Sequence, residues 1–321
     1  MSGKKARRRG PAPARSAPSR AEPAPGPRRP FGSALFGSAS SVMPPIGRSL
    51  GRGLLTVASS PVLVVVAVVA VPLSWMTLLA IGFEGSPSRL VDVLALPPIS
   101  TYFDLGTGAS VVGIGPAFLI FTGVAIAIRS VIYAVLTGLI VEVLEDGRVS
   151  TYGLLRGLSV IPTVIVVQIL SFSLIVAGNL VFPVLGPGIG FLAFVAALVG
   201  GLFFLGFAPT AAIRQGRGIA ESVRRSGRAA MLPGSRHLIF CALYFFIALP
   251  VMVGLAPGGG DITANPALVT WIFALAVNVL HLGFMAALSY RWIVAEPSVP
   301  EAPVKRRQPA REPSARARGR R

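Results

Sequence analysis

Residues 159–182 read SVIPTVIVVQILSFSLIVAGNLVF, and Pro183 follows. A run of about 20 apolar residues, rising 1.5 Å per residue, crosses the ~30 Å hydrocarbon core of a bilayer as a helix. Proline cannot continue that helix. The stretch therefore predicts a membrane span, and in lipid an isolated span of this kind must be helical to satisfy its own backbone.

Five further runs flank it, at about 61–82, 111–141, 189–211, 237–255 and 267–290. The first opens with Ser60-Pro61, a capping serine followed by proline at the first helical position, and carries Pro72, which is expected to kink it. The second is long enough to tilt or to run past the bilayer. The fold class expected is all-α: a polytopic membrane helical bundle of six transmembrane helices, with interfacial amphipathic helices and disordered tails. Residues 45–294 are the membrane domain. Residues 1–44 are a basic Pro/Ala/Arg-rich tail and 295–321 are its counterpart. Neither tail can bury enough apolar surface to offset chain entropy.

Composition points the same way. Of 321 residues, 53% are apolar and 13% charged, whereas soluble domains carry about 25% charged residues. Mean hydropathy is +0.72, which argues against a soluble enzyme. The single cysteine, Cys241, permits neither an intrachain disulfide nor a multi-cysteine metal site, and two histidines are too few for most metal centres. The Ala/Arg/Pro/Gly bias is that of a GC-rich prokaryote, so a prokaryotic plasma membrane is expected.

The net charge of +18 lies mostly outside the apolar runs. Of the 30 lysines and arginines, 28 fall before residue 61, in the 142–158 and 212–236 loops, or after residue 290; the exceptions are Arg89 and Arg129. This asymmetry places both termini in the cytoplasm. It also points to anionic lipid head groups as partners rather than nucleic acid.

Each pair of runs is preceded by a short basic stretch, at Ile46 to Val57, Tyr152 to Leu158 and Arg214 to Met231. In the third, Ile219, Ala220, Val223, Gly227, Ala230 and Met231 share one helical arc. Arg214, Arg217, Glu221, Arg224, Arg225 and Arg228 share the opposite one. Glu221 stands four residues from both Arg217 and Arg225, so i,i+4 pairing is available. Two readings fit: a helix lying in the interface with arginines toward lipid phosphates, or a linker helix packed on its own bundle. In either, the chain consists of three modules, each a surface helix followed by a helical hairpin. Arg214, Arg217, Arg224, Arg225 and Arg228 are the candidates for lipid head-group contact.

Three short motifs carry a family resemblance. Glu221-Ser222-Val223-Arg224-Arg225-Ser226-Gly227-Arg228, then Leu232 and a new run from His237, is similar to an "E-[SA]-x-R-R-S" segment. Ser59-Ser60-Pro61-Val62-Leu63 and Glu145-Asp146-Gly147-Arg148-Val149-Ser150 have similar counterparts. Over about residues 45–294 the chain resembles six-span prokaryotic proteins akin to the membrane domain attached to glycerophosphodiester phosphodiesterases. The resemblance implies a fold. It carries over no catalytic residue, and the attached phosphodiesterase domain is absent from this sequence.

No Walker loop or H-E-x-x-H occurs, and no catalytic residue, cofactor or metal is expected. Asn278 and His281 share a face of the sixth run. They can bind a substrate or carry protons, or they can simply bond to a neighbouring helix. His237 reads as a surface residue near the interface, and Cys241 as a small packing residue. Arg129 lies within the second run, about 18 Å from its cytoplasmic end. An arginine there must face protein, water or a lipid phosphate. Gln168, Asn179, Asn278 and His281 are its polar candidates from other runs. Either Arg129 binds an anion in a cavity with Gln168, Asn278 and His281, or it is a structural post. The external loop of about 83–110, with Asp92 and Asp104, reads as a surface helix, a re-entrant cover or a plain connector.

The expected role is that of a non-catalytic scaffold or accessory subunit. It would contact anionic lipids through its basic cytoplasmic helices and have a membrane-protein partner or a second copy. The alternative is a transporter or lipid-handling protein with a cavity at Arg129.

Overall fold

The computed structural model describes residues 42–80, 94–96, 116–216, 218–254 and 268–301. Most of both tails, most of the 83–110 loop with Asp92 and Asp104, Arg217 and the Asn179 side chain lie outside the described residues. Ten α-helices account for the regular structure described. They are α1 (Ile46–Ala58), α2 (Pro61–Ala80), α3 (Pro116–Asp146), α4 (Thr151–Ser159), α5 (Ile161–Asn179), α6 (Phe182–Leu205), α7 (Ala208–Gln215), α8 (Ile219–Ala230), α9 (Arg236–Gly254) and α10 (Leu268–Ala295).

Four helical stretches are long and apolar enough to cross a membrane: Thr122–Asp146, Ile161–Gly178, Val184–Gln215 and Trp271–Ser298. The count becomes five if α1 and α2, bent by 83° at their junction, are one span. The fifth expected run, about 237–255, is α9, which holds a shorter apolar helix over Arg236–Ile247. Pro72 sits inside α2, which continues past it as one helix. In α6 the helical path breaks at Gly186, whose φ of 79° suits glycine, just ahead of Pro187.

The three-module reading has a structural counterpart. Each module holds a short helix (α1, α4, α8), a first long helix (α2, α5, α9) and a second (α3, α6 with α7, α10). Each short helix packs on the second long helix of another module: α1 on α10, α4 on α3, and α8 on α6 and α7. Each first long helix lies against its own second helix and that same neighbour. Thus α2 touches α3 and α10, α5 touches α6 and α3, and α9 touches α10 and α6. The ends of α3, α7 and α10 meet one another in the middle.

The sequence of those three ends explains the convergence. Thr137-Gly138-Leu139, Leu205-Gly206-Phe207 and Leu282-Gly283-Phe284 are related triplets, and residues 136–143, 206–213 and 282–289 are buried throughout. The short helices meet them through small residues at a spacing of four: Ser49 and Gly53, Gly153 and Gly157, Ser222 and Ser226. Small side chains at i and i+4 let two helix backbones approach closely, the contact that apolar helices use where lipid is as apolar as leucine.

Two arginines fix the lead-in to α1. Arg236 donates to the Met43 carbonyl at 3.0 Å, and buried Arg291 donates to the Pro44 carbonyl at 3.0 Å and the Ser49 hydroxyl at 2.9 Å. Arg291 also lies 4.8 Å over the Phe240 ring. At the other end of the bundle, Trp75 and Trp271 meet edge to face at 6.3 Å, tying α2 to α10.

Candidate functional site

The end of the bundle carrying α1, α4 and α8 is its charged end. Arg214, at the end of α7, bonds Glu145 at the end of α3 and, at 2.5 Å, Glu296 just past α10. One guanidinium therefore joins the ends of all three central helices. Arg156 of α4 adds a 3.0 Å pair with Glu145 and a 3.2 Å bond to the Ile213 carbonyl. Gln215 donates to Glu296 at 2.7 Å, and Arg225 donates to Gln215 at 2.9 Å. Charged donors on carboxylates make the stronger class of hydrogen bond.

This network reassigns the basic residues of α7 and α8. Arg214 points inward to carboxylates, and Arg225 is 6% exposed. Arg228 pairs with Glu221 at 2.5 Å and holds the Pro300 carbonyl at 2.9 Å. Of the five head-group candidates, Arg224 is the exposed one among the described residues. Glu221 pairs at i,i+7 with Arg228, and Arg225 donates to Gln215. The buried face of α8 is Ser222, Arg225, Ser226, Ala229 and Ala230, and Ser226 accepts the Phe207 N–H at 3.1 Å. The more apolar flank stays outside, with Ile219 36% and Met231 44% exposed. The apolar arc is thus largely the outer one, because close helix contact selects small residues over apolar ones.

The other two short helices repeat that surface. On α1, Arg48 and Arg52 are exposed beside Leu54 and Leu55. At α4, exposed Arg148 precedes the helix, and Tyr152, Leu155 and Leu158 are exposed along it. Each short helix therefore holds the bundle by its small side and shows large apolar side chains on its free side, with exposed arginine on α1 and α8 and, for α4, just before the helix.

Glu142 was not singled out by sequence, which ended the second run at residue 141. The helix continues to Asp146 with Glu142 buried. Its carboxylate accepts the Ser150 N–H at 2.9 Å, the Gly153 N–H at 3.1 Å and the Ser150 hydroxyl. Ser150 in turn caps α4 by accepting the Tyr152 N–H at 3.1 Å. A carboxylate at the N-terminal turn of a helix satisfies donors the helix itself leaves open.

The four interior candidates are all buried, and Asn278 and His281 both lie beside the 94–96 segment. Asn278 accepts the Leu94 N–H at 3.1 Å and donates to the Ala274 carbonyl at 2.8 Å. His281 Nδ1 bonds the Tyr244 hydroxyl at 2.9 Å. Leu94, Ala95 and Leu96 are buried, so this short piece of the external loop dips into the bundle. Arg129 is buried in α3 and is engaged by a neighbour. It stands about 25 Å from Asp146 and about 20 Å from Pro116, near the middle of α3. Gln168 is fully buried on α5, a helix that packs on α3.

His237 is a correction. It is buried, stacked 4.3 Å from Phe207 and 5.1 Å from Phe203, with Nε2 bonded to the Phe203 carbonyl at 3.1 Å. Cys241, one turn on, is a buried free thiol.

A groove of about 760 Å³ opens beside α8. Phe204, Met231, Leu232 and Pro233 supply its apolar wall, and Glu221, Arg224 and Arg228 its charged rim. A second cavity, about 10 Å³ and large enough for one water, lies at Tyr133, Tyr244 and His281. Among the described residues no cluster of three metal-binding side chains occurs. No protein-family model, curated protein or solved structure matches the chain.

Proposed function

We propose that the chain is a non-catalytic multi-pass membrane protein, crossing the prokaryotic plasma membrane six times with both termini in the cytoplasm. It acts as a scaffold or accessory subunit that gathers anionic lipids around its charged end and offers that end to a membrane-protein partner or a second copy. α1, α4 and α8 lie along the cytoplasmic interface. The observation that carries this reading is their shared build: each is fixed to the bundle by small residues and leaves arginine beside exposed leucine, tyrosine or methionine. An amphipathic helix of that kind rests its apolar side in the head-group region with its cations at the phosphates. The resemblance to the phosphodiesterase-linked membrane domains agrees with such a fold.

The test is extraction of the protein in polymer-bounded native membrane discs, followed by lipid analysis. Wild type should be enriched in anionic lipid over the bulk membrane. The combined variant Arg48→Gln, Arg52→Gln, Arg148→Gln, Arg224→Gln should lose that enrichment. Equal enrichment in the two would contradict the reading.

One observation favours a second reading, a transporter or lipid-handling protein with a cavity at Arg129. The Ser130 and Ser171 hydroxyls and both amide atoms of Gln168 are buried with no hydrogen-bond partner. A water-filled path or small ligand would satisfy them. Labelling of Gln168→Cys, in a Cys241→Ser background, by a small water-soluble thiol reagent would support transport. Protection would support the scaffold.

A further inference from the structure

The groove beside α8 has two unlike parts. Its wall is apolar and includes Phe204, 45% exposed near the end of a helix long enough to cross a membrane, together with Met231 and Leu232. Its rim is cationic. Arg228 is held by Glu221, whereas Arg224 is exposed and has no carboxylate within 4.0 Å among the described residues. Its volume of about 760 Å³ lies within the ~300–1,000 Å³ usual for small-molecule sites.

We infer that this groove binds one anionic phospholipid, with its phosphate at Arg224 and an acyl chain along Phe204, Met231 and Leu232. The inference rests on the proposed lipid-contacting role and adds a discrete site to it. Charge selects the occupant. The chain's own C-terminal tail leaves from the groove edge at Pro300, but it brings Lys305, Arg306 and Arg307 and would add cations to a cationic rim. The N-terminal tail is as basic. A zwitterionic lipid also brings a phosphate to Arg224, but it adds its own ammonium to a cationic rim, whereas an anionic lipid does not. An anionic lipid meets both parts, since a phosphate takes charge-assisted bonds from guanidinium.

Gly227 gives a clean variant. It lines the groove, and a Cβ there meets nothing within 4 Å. Leucine at 227 therefore projects into the groove without displacing the bundle, and it improves helix propensity.

The full-length protein is reconstituted in phosphatidylcholine nanodiscs containing a minor fraction of phosphatidylglycerol. Native mass spectrometry at rising activation energy then counts retained lipids. Wild type should keep one phosphatidylglycerol after the rest have left. Gly227→Leu should lose it with unchanged thermal stability, and Arg224→Gln should retain it about tenfold less. Arg48→Gln/Arg52→Gln/Arg148→Gln should keep it while general anionic enrichment falls. If the triple variant leaves general enrichment intact but the single lipid still depends on 224 and 227, the lipid-gathering role fails and the site stands. Retention of phosphatidylcholine equal to phosphatidylglycerol, or full retention in Gly227→Leu, overturns the site.

Discussion

Gly53 of α1 lies so close to Gly283 of α10 that a Cβ at 53 would stand 2.4 Å from the Gly283 carbonyl oxygen. The same relation recurs one module on, where a Cβ at Gly138 of α3 would stand 2.4 Å from the Gly153 carbonyl oxygen of α4. The obstacle is backbone in both cases, so neither contact can yield by moving a side chain.

Gly53→Ala is therefore expected to separate α1 from α10 and destabilise the bundle by about 1–3 kcal/mol, the usual cost of overpacking. Gly51→Ala on the same helix meets nothing within 4 Å and should be neutral or slightly stabilising. Thermal unfolding in detergent compares the two directly. Equal midpoints for both variants would contradict the close contact.

Glu142→Ala should release α4. The lost acceptor leaves the Ser150 and Gly153 N–H groups without their carboxylate, at a cost of about 1–3 kcal/mol. Hydrogen exchange should rise at residues 150–157 and stay unchanged in α9. Protection of α4 equal to wild type would show that Gly153 and Gly157 suffice to hold it.

Arg214→Ala should loosen the charged end. Its pairs with Glu145 and Glu296 are about a quarter exposed, so solvent screening holds each to about 0.5–1 kcal/mol. The loss should shrink as salt is raised. Arg224→Ala, at an exposed position, should leave stability within about 0.5 kcal/mol of wild type. A larger loss for Arg224→Ala than for Arg214→Ala would reverse the assignment of inner and outer arginines.

Gln168→Leu should be neutral or stabilising, because neither amide atom is satisfied and a buried unpaired amide costs more than an apolar replacement. Asn278→Leu should destabilise, since it orphans the Leu94 N–H. Melting temperatures of the two variants check this, and a marked drop for Gln168→Leu would point to a bound water or ligand at that position.

The helices themselves were legible as apolar runs, and the three-part organisation as a basic stretch before each pair. What was not legible has specific physical causes. A charge normally ends a span, so Glu142 read as loop, whereas it is buried by donors arriving from Ser150 and Gly153. Arg214 read as a head-group contact because its carboxylates lie 69 and 82 residues away in sequence. The buried face of α8 was not legible because hydrophobicity sorts residues against water, while helix contact in a lipid-facing bundle sorts them by size. His237 read as surface because the aromatic rings of Phe203 and Phe207 that enclose it come from another helix junction.

In the proposed function the three short helices lie together at one membrane interface. Leu55, Leu155 and Met231 are exposed, one on or just beyond each short helix. Each can be changed singly to a spin-labelled cysteine in a Cys241→Ser background, in vesicles containing phosphatidylglycerol. Collision with lipid-dissolved oxygen and with an aqueous nickel chelate then reports depth. The account predicts that all three labels collide more with oxygen than with nickel, at a similar shallow depth in one leaflet. Labels reached mainly by nickel, or sited at opposite faces of the membrane, would contradict it.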